Sequence, residues 1–306
     1  WTPDNLFWGY FDANTPPVLK VASGDEVVMN CLPACLPSDL PPDGSGVLSD
    51  HILAMEKHQS NRGAGPHMLT GPVFVEGAEA GDVLQVDILE AKPAQNWAFT
   101  AILPLLGALP DEFTDYEHLH ISVDRDAMTC TLPWGLTLPL DPFFGIMAVA
   151  PPKEWGRIGT PEPRAFGGNM DNKELRPGTT LYLPVFNEGA LFSAGDGHGR
   201  QGDGEVCIAA VETALSGSFR LTVRKDMSLE TPFAETPQNL ISMGFDEDLD
   251  EAMRKAVRDM VNLVVSRGSL SRNQAYMLLS LAGDLRITQV VDGEKGVHML
   301  MRKDWL

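Results

Sequence analysis

The chain has 306 residues, 43% of them hydrophobic and 21% charged, with a formal net charge of −19. This length buries a sizeable core in one large domain or two. The acidic balance argues against nucleic acid and anionic membrane surfaces as partners, and suits cations and a small neutral substrate; no stretch stays apolar over the roughly 18 residues a membrane span needs.

The opening residues, WTPDNLFWGYF, have no basic n-region and no long apolar h-region, so they do not read as a signal peptide. Four cysteines (Cys31, Cys35, Cys130, Cys207) lack zinc-ribbon spacing. A chain this long needs no disulfides, and a reducing cytoplasm is the expected compartment.

Residues 18–32 predict two strands joined at Ser23–Gly24–Asp25, followed by a Pro-, Asp- and Gly-rich loop over 33–50. HILAMEKHQSNRGAGPH (51–67) contains three histidines; His51 and His58 share a face if it is helical, and Gly63, Gly65 and Pro66 predict a loop at its end. Such a segment reads either as a loop beside an active site or as a mobile surface stretch.

In Pro72–Ala91, Val73 and Val75, then Leu84, Val86 and Ile88, alternate with other residues, predicting strand, turn, strand. Glu76 ends the first strand before Gly77, where a carboxylate is either aimed into a cleft or a turn former. Residues 93–165 read as loops and short strands rich in Pro and aromatic side chains, which suit a pocket lining or connections packed over a core. Phe143, Phe144, Trp134 and Trp155 are its pocket candidates. His118–x–His120, in a charged segment, reads as exposed.

RAFGGNMDNKEL (164–175) pairs Gly167 and Gly168, allowing close backbone approach, and places Asn169 and Asp171 on one side of an extended chain. An Asx turn is the simpler alternative. TTLYLPVF then predicts a strand leading to the densest polar stretch, Gly189–Glu212. There the apolar run Ala190–Leu191–Phe192 feeds into Asp196, His198, Asp203 and Glu205, and a second run, Val206, Ile208, Ala210 and Val211, leaves it: strand, turn, strand. Its glycines allow positive φ or close approach. Oxygen and nitrogen donors together suit a divalent cation such as zinc, whereas a polar hairpin loop needs no ligand.

After a strand at Ser218–Lys225, Leu249, Met253, Val257, Met260 and Val264 recur at helical spacing over 248–267, with an Asp248–x–x–Glu251 box and Gly268 to stop the helix. A second helix runs from Ser271, boxed by Gln274, to Gly283, with Met277, Leu278 and Leu281 as its apolar stripe. LRITQVV and VHMLM close the chain as strands. Together these elements predict a β-rich α+β fold, with mixed sheets in a sandwich-like core and a C-terminal helical pair. Residues 1–225 would form the β-rich catalytic core, and 226–306 a helical hairpin plus closing strands packed on it as one unit. The chain has no GxGxxG, P-loop or GxSxG motif, which weighs against nucleotide-dependent and α/β-hydrolase chemistry.

GGNMDNKEL, LYLPVFNEGALFSAGD and GDGHGRQGDGEV, with TGPVFVEGAEAGDVLQVDI upstream and LLSLAGDLRITQVVDGEKGVH downstream, resemble the acetamidase/formamidase family of amide hydrolases. The resemblance implies hydrolysis of formamide, acetamide or related small amides and lactams, releasing ammonia and a carboxylate, and a homo-oligomer. It favours Asp171 as a site residue and gives Asn169, Phe144 and Gly145 to the substrate. On this reading Asp171, Asp196 and His198 are metal ligands, Glu205 is a fourth ligand or the general base, Glu76 is the other base candidate, and Asp203 orients the loop. Zinc is the expected metal and calcium the alternative; calcium held by Asp196, Asp203 and Glu205 would suit a non-catalytic β-protein. A third possibility is the same fold acting on a non-amide substrate.

Overall fold

A computed structural model of the chain describes residues 2–44, 46, 47 and 49–306. The alternation at Val73/Val75 and at Leu84/Val86/Ile88 is realised in strands Met68–Val75 and Val83–Pro93, which belong to different sheets. The first sheet runs in the order Leu6–Trp8, Met68–Val75, Phe192–His198, Phe143–Ala148, Gly167–Asn169, with Leu19–Val21 added parallel to Met68–Val75. The second has eight strands: Asp284–Gln289, Lys295–Arg302, Asn239–Asp246, Phe233–Glu235, Thr180–Pro184, Val83–Pro93, Leu215–Arg224 and Glu26–Cys31.

The two sheets share one core. Phe144 and Phe192 of the first meet Phe219 of the second edge-on, with ring centroids 5.1 and 5.7 Å apart. Leu84, Val86, Leu181 and Leu183 join the same buried cluster. Each such side chain contributes roughly 1.5–3 kcal/mol on burial, which fixes the sandwich and the face every strand turns inward.

Residues 97–139 are more regular than their composition suggests. They form a four-stranded sheet of Trp97–Ile102, Glu117–Asp124, Thr129–Thr131 and Thr137–Pro139. In Glu117–Asp124 only Ile121 and Val123 are fully buried, so the polar positions mask the strand. His118 and His120 are half-buried on it rather than exposed. The His118 ring stacks on Phe99 at 4.9 Å, and His120 Nε2 lies 3.0 Å from the Asp39 carbonyl oxygen.

The helices form where their caps predict. Leu249–Arg267 is capped by Asp248, whose side chain accepts from the Asp250 and Glu251 amides, and Arg272–Ala282 by a Ser271/Gln274 box. The first helix buries Ala252, Ala256, Met260, Val261 and Val264. The second packs through Ala275 and Leu279, one turn apart, and this phase leaves the expected stripe residues Met277 and Leu281 59% and 85% exposed. The segment 226–306 also supplies four strands of the eight-stranded sheet. Among the described residues no helix is long and apolar enough to cross a membrane.

Candidate functional site

Strand Phe192–His198 is buried along its whole length between Met68–Val75 and Phe143–Ala148. Asp196 and His198, two residues apart, face the same way. The second apolar run does not make the expected strand. Beyond His198 the chain loops and returns through single bridges from Glu212 to His198 and to Phe99; the next strand begins only at Leu215. This loop folds Glu205 and Glu212 back over the strand end. Gly197 serves close packing, since a Cβ there would overlap the Thr213 carbonyl oxygen. Left-handed backbone falls on three of the acids as well as on neighbouring glycines: φ is 44° at Asp171, 56° at Asp196 and 45° at Glu205. Such strain at non-glycine residues concentrates at functional sites.

The carboxylates converge on one imidazole. His198 Nε2 lies 3.2 Å from Asp196 Oδ2, 3.3 Å from Glu212 Oε1 and 3.8 Å from Asp171 Oδ1. Asp171, His198 and Glu205 offer ligand atoms within 4.8 Å of one another, as do Asp196, His198 and Glu212. Gly145, on the adjacent strand, makes room for them: a Cβ there would overlap Asp171 Oδ1 and Asp196 Oδ2 and lie 3.1 Å from His198 Cε1. Gln201 spans two members, its Nε2 donating to the Asp171 carbonyl oxygen at 2.7 Å and its Oε1 facing His198 Nδ1 at 2.8 Å. That orientation places the imidazole hydrogen on Nδ1 and turns Nε2 towards the carboxylates.

The charge balance is severe. Asp171, Asp196, Glu205, Glu212 and Asp292 are buried together with His67 and His198, and no Lys or Arg lines their cavity among the described residues. Burial pushes Asp171 up to about 6 and Glu212 up to about 8; in each case the Asp196 charge adds to the rise and His198 opposes it. Glu205 and Asp292 are held well above the carboxylate range by burial and by repulsion from Asp171. Burial acts against the charged form of Asp196 too, but His198 and His67 outweigh it and lower its pKa. Burial likewise opposes charge on His198, yet Glu212 and Asp196 hold its pKa well above the ordinary value. Asp171 Oδ1, Glu205 Oε2, Glu212 Oε2, Asp292 Oδ2 and Asn169 Oδ1 are buried with no hydrogen-bond partner. Buried acceptors without protein partners are costly and call for an ion, a ligand or water. Unpaired oxygens around an imidazole nitrogen fit a divalent cation.

The cluster forms the floor of a cavity of about 430 Å³, which Asn169 also lines. Four of the residues expected at the site are therefore acids or a histidine of this cluster, Asp171, Asp196, His198 and Glu205, with Gly145 beneath them. Other candidates lie elsewhere. Glu76 is exposed at the end of Met68–Val75, paired with Lys20 at 3.2 Å in a separate surface cleft. Asp203 pairs with Lys173 at 2.9 Å. Phe144 points into the sandwich core. Strand alternation gives the site face to Gly145 and Phe143 instead, and the Phe143 ring meets His198 edge-on at 5.1 Å. Trp134 and Trp155 do not line the cavity. Within 51–67, helix Ser49–His58 carries His51 and His58 away to Cys35 and Pro3, whereas His67 reaches the site, with Nε2 3.9 Å from Asp196 Oδ1 and Nδ1 2.8 Å from Thr160 Oγ1. Glu212, Asp292, Gln201 and His67 enter by loop closure, for which no periodic signal exists; only the Gly-flanked acid in VVDGEKG hinted at Asp292.

The Acetamidase/Formamidase family profile matches residues 9–158 and 156–301. An acetamidase from Mycolicibacterium smegmatis is 29% identical over 198 residues, covering 46% of this chain and 49% of the relative. A formamidase from Methylophilus methylotrophus is 26% identical over 278 residues, covering 74% of this chain and 66% of the relative. The chain thus spans about half to two thirds of the length of these curated relatives. The crystal structure of an acetamidase from Bacillus halodurans superposes with a TM-score of 0.86 at 30% identity, covering 99% of this chain and 96% of that one. A profile match along nearly the whole chain, on a sandwich of the same shape, makes this protein a member of the acetamidase/formamidase family.

Proposed function

We propose that the chain is a metal-dependent hydrolase of carbon–nitrogen bonds in small neutral amides, releasing ammonia and a carboxylate. The observation that supports this most directly is a buried group of carboxylates with unpaired oxygens, gathered around His198 Nε2 on the floor of a cavity. When bound there, a divalent cation, zinc by its donor set with calcium as the alternative, supplies charge that polarises an amide carbonyl and brings the pKa of water towards about 7.

Asp171, Asp196 and His198 are the ligands in this reading, with Glu212 as a further oxygen donor. Gln201 fixes the His198 tautomer, and the Ala210 amide anchors Glu212 Oε1 at 2.8 Å. Glu205 is the general base. Its Oε2 is unpaired, it offers a ligand atom within 4.8 Å of those of Asp171 and His198, and burial with repulsion from Asp171 raises its affinity for protons, the direction a general base needs. It takes a proton from the attacking water and returns it to the departing nitrogen. Asn169 Oδ1, unpaired in the wall, accepts an N–H of the amide and orients the carbonyl. We extend the family reading to a homo-oligomer in the reducing cytoplasm, where Cys31, Cys35, Cys130 and Cys207 stay unpaired.

The test is elemental analysis of the purified protein together with ammonia release from formamide and acetamide before and after chelation. About one zinc per chain, with activity lost on chelation and restored by metal, supports the proposal. Calcium alone, or no metal, with no ammonia from any small amide would instead leave a structural role for the cluster.

A further inference from the structure

We infer that the preferred substrate is a primary amide whose acyl group is apolar and several carbons larger than acetyl; the inference rests on the amide-hydrolase reading above. The cavity lining is mostly apolar outside the carboxylate and histidine cluster: Leu36, Phe99, Leu103, Leu106, Ile208 and Val291 line it, with Asp39 and Glu162 among the few other charged groups. A carboxamide placed on the floor leaves the rest of the substrate against these apolar side chains. Formamide has no acyl carbon chain to offer them, and acetamide has one methyl.

Size points the same way. A cavity of about 430 Å³ lies in the range of sites for drug-sized ligands, roughly 300–1,000 Å³. Formamide and acetamide displace only a few waters, each taking roughly 30 Å³. The wall is also held at a conformational cost. Ile208 has φ 92°, a backbone setting suited to glycine, and its amide donates to the Glu205 carbonyl oxygen at 3.1 Å. A branched apolar side chain therefore stands in a strained position next to the base. Leu106, at the rim, is 45% exposed, leaving apolar surface for an acyl chain to cover. The Tyr116 hydroxyl donates to Asp39 Oδ1 at 2.9 Å and joins two distant segments that both line the cavity.

The reaction stays balanced: the amide C–N bond breaks, a C–O bond forms from water, the water proton passes to the leaving nitrogen, and no other reactant is consumed.

The test is kcat/KM of the metal-loaded protein for formamide, acetamide, propionamide, butyramide and hexanamide, with malonamide as a polar control. Burial of each methylene should raise kcat/KM about fourfold until the walls are filled, so hexanamide should exceed acetamide at least tenfold while malonamide gains nothing. A maximum at formamide or acetamide, with decline along the series, overturns the inference and leaves the amidase reading intact. Failure of every amide, formamide included, overturns both. Leu106→Glu and Ile208→Gly, the second of which relaxes the backbone, should each lower the hexanamide-to-acetamide ratio at least tenfold; ratios equal to wild type in both variants would remove these side chains from the acyl site and sink the inference.

Discussion

His198 donates its Nδ1 hydrogen to the side-chain oxygen of Gln201 at 2.8 Å. Because the Gln201 amide is itself held by the Asp171 carbonyl oxygen, one side chain sets both the tautomer and the aim of Nε2. Gln201→Ala should weaken metal binding about 10–100-fold, the usual cost of losing such a support. Competition with a chelator of known affinity measures it. Gln201→Glu, which keeps an acceptor for Nδ1, should recover part of the loss. An unchanged metal affinity in Gln201→Ala would contradict the role.

Gly145 makes a separate prediction. Its nearest neighbours are the carboxylate oxygens of Asp171 and Asp196, both buried inside the cluster, so an added methyl has to displace one of them. Gly145→Ala should lose metal and activity together while circular dichroism still reports the β-rich fold. Full metal occupancy in this variant would show that the cluster opens without harm.

Glu205 and Glu76 are distinguished by where they lie. Glu205 is buried in the cluster, whereas Glu76 makes an exposed pair with Lys20, of a kind that contributes about 0–1 kcal/mol. Glu205→Gln should lower kcat roughly 10²–10⁴-fold, the span of general acid–base catalysis, and Glu76→Gln should stay within about threefold of wild type. Steady-state ammonia assays on both variants decide it, and the reverse order would exchange their roles.

The metal-free protein should have an unusual pH response. In the folded chain Glu212 binds its proton up to about pH 8 and Asp171 up to about 6, against ordinary values of 4.5 and 3.8. The folded state therefore binds more protons than the unfolded state between those limits. Stability is fully present below the unfolded values and is lost as pH rises through the folded ones. Urea midpoints of the metal-free protein should fall from pH 6 to pH 9, and saturating metal should flatten the curve. A midpoint independent of pH in the metal-free protein would contradict this account.

Asp248 tests the part of the fold most directly encoded by local chemistry. Its carboxylate caps Leu249–Arg267 by accepting from the Asp250 and Glu251 amides at 2.8 and 3.1 Å. Asp248→Ala should cost about 1 kcal/mol, read as a lower urea midpoint with metal content unchanged.

What the sequence determined by itself was local. Caps and 3.6-residue spacing located both C-terminal helices, period-two alternation located Met68–Val75 and Val83–Pro93, and Asp196–Gly197–His198 placed two donors on one side of a strand. These signals act over a few residues, so they are complete within the segment that carries them. Strand Glu117–Asp124 went unread because its histidines are covered by Phe99 of the paired strand and by Asp39 from a distant segment. The phase of Arg272–Ala282 also escaped, because a helix with apolar residues on several sides is oriented only by what it packs against. The site divides in the same way. Asp171, Asp196, His198 and Glu205 stand beside glycine-rich turns that announce them, but Glu212, Asp292, Gln201 and His67 join them only when separate loops close over strand Phe192–His198. Strand pleat in the assembled sheet decided that Gly145 rather than Phe144 faces the cluster, and the parallel strand Leu19–Val21 beside Met68–Val75 gives exposed Glu76 its partner Lys20. Residue type supplied the donors; tertiary packing buried them together around His198 Nε2, with several oxygens left without a protein partner and fit to hold a cation.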